Sequence, residues 1–82
     1  MVSREEKEKL AQEIIDVPIT GKVITIEIKV GDTVKEGDVI CYIEAMKMEN
    51  PILAPVAGKI TEIKVAAGQK VETGNVIAII EY

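Results

Sequence analysis

This chain of 82 residues has no histidine, no tryptophan and no phenylalanine, and only one cysteine. Without histidine it lacks the side chain most used as a general base at neutral pH and as a metal ligand. With Cys41 alone, no Cys-His pair, serine triad or zinc site can be assembled. An intramolecular disulfide is excluded as well, which agrees with a reducing compartment. Two tyrosines are the whole aromatic complement, so stacking platforms for single-stranded nucleic acid are missing. A net charge of −4 argues against a phosphate backbone as partner. No apolar run approaches the ~20 residues of a membrane-spanning helix. The N-terminus is charged from Arg4 onward and has no apolar signal-peptide core. Carboxylates remain, but their spacing puts no two of them around a cleft. The expectation is a cytoplasmic protein that neither enters a membrane nor catalyses a reaction by itself, with no catalytic residue and no metal ligand.

What the chain has in abundance is Ile and Val, which are β-branched and favour strands. It also repeats itself. A shift of 37 positions lays residues 15–44 on residues 52–81 without a gap. Twelve pairs are then identical: Ile15/Ile52, Pro18/Pro55, Gly21/Gly58, Lys22/Lys59, Ile26/Ile63, Gly31/Gly68, Val34/Val71, Gly37/Gly74, Val39/Val76, Ile40/Ile77, Ile43/Ile80 and Glu44/Glu81. One structural unit is used twice. Within each unit the stretches 23–28 and 60–65 alternate partially, and 39–43 and 76–80 are short apolar runs. Glycines at matched offsets predict matched turns. Cys41 falls opposite Ala78, so it is expected to be a small packing residue.

About four short strands per unit give about eight in all. Two units are too few for a solenoid, so they must interlock around one core. The predicted fold is all-β, a flattened barrel or sandwich of about eight strands with a quasi-two-fold axis. The domain with this fold is residues 13–82, with repeat halves 14–44 and 51–81. Residues 1–12 are expected to be a tail or short helix: Ser3 and Glu6 have capping-box spacing, and Glu5 and Lys9 form an i,i+4 pair. The bridge 45–51 is predicted to form a hairpin near the axis.

That bridge breaks the rules obeyed elsewhere. Two-residue hairpin turns favour Asn-Gly or Asp-Gly because both positions need φ > 0. Ala45-Met46-Lys47-Met48 supplies none of these. Such violations cluster at functional positions. Two methionines at a turn also suit adaptable contact with a partner. A solvated lysine between methionines folded back on the core stays open on this ground alone.

Glu44-Ala45-Met46-Lys47-Met48-Glu49 resembles the attachment motif of biotinyl carrier domains, whose core is Ala-Met-Lys-Met. The likeness extends over residues 14–82 and takes in Val30-Gly31-Asp32-Thr33-Val34-Lys35-Glu36-Gly37-Asp38 and Ala54-Pro55-Val56-Ala57-Gly58-Lys59-Ile60. The resemblance implies a barrel-sandwich of two four-stranded antiparallel sheets with the lysine exposed on a hairpin, and covalent biotin on Lys47, joined by a biotin protein ligase from biotin and ATP through a biotinyl-adenylate. It assigns ligase recognition to Ala45, Met46 and Met48, with Glu44 and Glu49 beside them. It implies a carrier subunit or domain, not an enzyme, moving a carboxyl group between biotin carboxylase and carboxyltransferase or decarboxylase partners. Some relatives carry an insertion, the thumb, in the first half. The gapless repeat leaves no room for one, so the chain is similar to the thumbless type.

Two alternatives stand beside this. Lipoyl carriers share the fold, but their lysine usually sits in Asp-Lys-Ala, and both of those neighbours are Met here. Unmodified interaction modules of this type normally carry a long insertion between the halves, which this chain lacks.

Overall fold

The structure, a computed structural model, describes residues 11–82. The tail or helix expected over residues 1–12 therefore falls, up to position 10, outside the described residues. Eight strands follow: β1 (Gln12–Asp16), β2 (Gly21–Ile26), β3 (Thr33–Val34), β4 (Val39–Ala45), β5 (Met48–Leu53), β6 (Gly58–Ile63), β7 (Lys70–Val71) and β8 (Val76–Glu81). They form two antiparallel four-stranded sheets, ordered β1-β8-β6-β3 and β5-β4-β2-β7. Exchanging each strand for its repeat counterpart turns one order into the other. Each sheet therefore takes two strands from each half, and neither half makes a sheet alone.

The halves are also stitched by reciprocal backbone bonds. Gly31 N–H donates to Ile60 O (2.8 Å) and its counterpart Gly68 N–H to Val23 O (2.7 Å). Gly37 N–H reaches Ala54 O (2.9 Å), and Gly74 N–H reaches Val17 O (2.9 Å). Gly31 and Gly68 have φ of 98° and 88°, in the region that disfavours a Cβ. Asp32 Oδ2 accepts from Lys29 N–H and Gln69 Oε1 from Ala66 N–H, so matched side chains close matched turns.

The core is aliphatic and paired. Its buried residues are Ile15 and Ile52, Val17 and Ala54, Val23 and Ile60, Ile28 and Val65, Val34 and Val71, Ile40 and Ile77, Cys41 and Ala78, Ile43 and Ile80. Every member has its repeat partner in the same cluster. Among the described residues no polar side chain is buried, so the core holds together by apolar burial rather than internal polar bonds.

Two expectations shift. The stretches 23–28 and 60–65 were expected as strands, but β2 and β6 begin and end two residues earlier. Register shifts between Val23 and Thr25 and between Ile60 and Glu62 interrupt the alternation there. The hairpin is also not on the two-fold axis. The strand exchange carries the turn between Ala45 and Met48 onto the gap between Tyr82 and Ala11, which pair through Ala11 N–H to Tyr82 O at 3.1 Å and the reciprocal bond at 2.9 Å. A point on the axis would map to itself. The repeat pairs Ile15/Ile52 and Pro18/Pro55 instead line one groove between β1 and β5.

Candidate functional site

The β4–β5 hairpin closes on two residues. Ala45 pairs with Met48, leaving Met46 and Lys47 as the whole turn. Their φ values are 55° and 65°, and no other non-glycine residue among those described has positive φ. This is the turn geometry that matches strand twist but wants Asn-Gly. For an L-residue the left-handed conformation costs about 1–2 kcal/mol. The strain lies at the two residues that the broken turn chemistry singled out.

Side chains at the tip point outward. Met46 is 83% and Met48 63% exposed, while Ala45 beneath them is buried. The methionines therefore do not fold back on the core, and Lys47 stands between two apolar side chains in solvent. Ala45 is small where the hairpin meets the barrel. Glu44 and Glu49 face each other as the next cross-strand pair, both exposed. Beyond them Ile43 pairs with Asn50.

The sequence reading missed Asn50. Its Nδ2 donates to Ile43 O on the opposite strand (3.2 Å) and to Met48 O on its own (3.2 Å). One amide thus ties the two strands below the turn. Its repeat counterpart is Glu13, which has no such donor; a difference between the copies so close to the hairpin was the available signal. Glu44 has a second, backbone role. A Cβ on Gly21 would collide with Glu44 O, and one on Gly58 would lie 2.6 Å from Glu81 O. The missing side chain lets β2 and β6 seat against the ends of β4 and β8, which accounts for the repetition of the glycine.

Cys41 is fully buried opposite Ile52, and burial pushes its thiol up to about 11. It is a packing residue of the core, as its match to Ala78 indicated. Among the described residues no group of three His, Cys, Asp or Glu is placed to hold a metal ion. No helix among them is long and apolar enough to cross a membrane.

An exposed primary amine on a short, strained, rigidly based turn suits covalent attachment by another protein. A ligand pocket is not needed for that. Comparison with known proteins bears on what such an amine could carry. The family model Biotin_lipoyl, described as "Biotin-requiring enzyme", matches residues 13–80. The gamma subunit of glutaconyl-CoA decarboxylase from Acidaminococcus fermentans is 44% identical over 39 residues, covering 48% of this chain and 27% of that subunit. The mitochondrial propionyl-CoA carboxylase alpha chain of Sus scrofa is 46% identical over 50 residues, 57% of this chain and 7% of that one. The crystal structure of Kluyveromyces lactis urea carboxylase superposes with a TM-score of 0.80 at 36% identity, covering 85% of this chain and 6% of that chain. The chain thus spans about a quarter or less of the length of these relatives.

Proposed function

This chain belongs to the Biotin_lipoyl family of biotin-requiring enzymes, and from that premise we propose that Lys47 is its covalent biotin attachment site. The observation that carries the proposal is the turn itself: Lys47 at φ 65° beside Met46 at φ 55°, on a two-residue hairpin loop. When attached, biotin supplies the means of carrying a carboxyl group. The residues of this chain hold and present it. Met46 and Met48 offer exposed apolar surface on both sides of the amine, and Ala45 and Asn50 fix the base of the hairpin. Ala45, Met46, Met48, Glu44 and Glu49 are the surface a biotin protein ligase would read.

The domain acts as a carboxyl carrier between a biotin carboxylase and a carboxyltransferase or decarboxylase, with no catalytic residue of its own. Tethering supports that division of labour. A group on a flexible arm meets each partner at an effective concentration near mM, so carrier contacts need only be weak. ATP-dependent ligation and a free core thiol fit a cytoplasmic setting. The carrier would comprise residues 13–82 together with Ala11 and Gln12, which pair along β8 and Tyr82, and the tail would be what precedes them. The test is incubation of wild type and Lys47→Arg with a biotin protein ligase, biotin and ATP, read by streptavidin gel shift. Wild type should shift and the variant should not; a shifted Lys47→Arg would refute the assignment.

A further inference from the structure

One residue pair below the turn, four charged side chains form a row across the sheet. Register puts Lys70 of β7 opposite Lys22 of β2, Lys22 opposite Glu44 of β4, and Glu44 opposite Glu49 of β5. All four are exposed. The row is positive on one side and negative on the other. Two of its three neighbour pairs are like charges directly opposite, which destabilises a sheet. Their charged ends close no ion pair among the described residues, where the pair found is Lys64 Nζ to Glu62 Oε1 at 2.8 Å.

The duplication supplies an internal control. The counterpart row in the other sheet reads Thr33, Lys59, Glu81, Gln12. The inner Lys–Glu pair is retained and both unfavourable pairs are gone. The excess charges, Lys70 and Glu49, therefore occur only at the end that bears the lysine turn. Folding does not require them, because the same strand arrangement forms at the other end without them. Against the row lies a groove of about 360 Å³ lined by its Lys22, Glu44 and Lys70 together with Thr20, Gly21, Val71 and Glu72.

The geometry points to a docking strip for the biotin protein ligase. A cationic group of the ligase sits against Glu44 and Glu49, and an anionic group sits against Lys22 and Lys70. This rests on the reading of Lys47 as biotin acceptor. The ligase is the partner because it must bring the lysine amine itself to its active site, so its surface must reach the next residue pair. Partners that handle the far end of the attached arm stand off by the arm's length. A split row also fixes orientation, since a partner turned end for end meets like charges.

The experiment replaces the two excess charges with their counterparts at the other end, Glu49→Gln with Lys70→Thr. Steady-state biotinylation by a purified ligase is measured across ionic strength, with thermal unfolding alongside. A control carries Gln12→Glu with Thr33→Lys, which builds the charges at the wrong end. The expected result for the first variant is a higher KM with kcat unchanged. Its kcat/KM should fall on the order of tenfold at low salt, converge on wild type at high salt, and come with an unfolding midpoint no lower than wild type. The control should be modified like wild type. Wild-type kinetics and salt dependence in the first variant would overturn the strip and leave the acceptor reading intact. So would a loss at every salt accompanied by a lower midpoint. A wild-type protein that takes no biotin would overturn the acceptor reading, and the strip with it.

Discussion

Replacing Met46 by Asn should stabilise this domain while slowing its modification. Met46 sits at φ 55° and is 83% exposed, so its side chain contributes little burial and its backbone carries strain. The left-handed conformation costs an ordinary L-residue about 1–2 kcal/mol, and Asn tolerates it because its short polar side chain can bond locally. The expected gain is about 1 kcal/mol. For a domain of this size that raises the melting temperature by roughly 4–8 °C. Adding Lys47→Gly should gain less, because glycine's extra freedom in the unfolded chain takes back roughly 0.5–1 kcal/mol of the relief. Thermal and urea unfolding of Met46→Asn and of the double variant measure both steps. Biotin transfer to Met46→Asn should slow, because one exposed methionine is lost. A melting temperature unchanged or lowered by Met46→Asn would refute the strained-turn account, since it would mean the turn relaxes or the methionine packs.

Other outcomes follow from the same geometry. Gly21→Ala and Gly58→Ala should each cost more than about 2 kcal/mol in denaturant unfolding, because the new Cβ meets backbone oxygens of Glu44 or Glu81 that cannot step aside; a loss under 1 kcal/mol would show that the strand ends are loose. Met46→Asp with Met48→Ala should keep its β circular dichroism but take biotin more slowly, with a gain in modification by a lipoate ligase. If that folded variant is biotinylated at the wild-type rate, the methionines are not what the ligase reads. Cys41 sets a pH dependence: its folded thiol titrates near 11 against an ordinary 9.0. The unfolded chain therefore loses this proton first as pH rises, and stability falls between those values by on the order of 1–3 kcal/mol. Cys41→Ala, which copies Ala78, should lack that part of the fall; parallel pH profiles would show that the thiol is not shielded.

The core was legible because duplication leaves a record in the sequence. Ile40, Ile43 and their partners Ile77 and Ile80 stood out as matched apolar positions, and all four are fully buried. The lysine turn was legible for the opposite reason: Met46 and Lys47 violate turn chemistry, and the backbone holds both at positive φ. The strand bounds were not, because Gly21 and Lys22 look like turn residues until β2 is placed against Glu44. The register shift after Val23 then hides the alternation. Asn50 and the Lys70–Lys22–Glu44–Glu49 row were invisible in one dimension. Their partners lie on neighbouring strands, and only the register brings them together. The off-axis position of the hairpin likewise emerged only when Tyr82 and Ala11 were seen to occupy its symmetry-related place.

The central claim is that one amine, on Lys47, carries the cofactor. Intact-mass measurement of the protein after reaction with a biotin protein ligase, followed by fragmentation to locate the added group, tests it most directly. The account predicts the mass of a single biotinyl group, found wholly on Lys47. Biotin on Lys22, Lys59 or Lys70, or no addition to a folded protein, would contradict it.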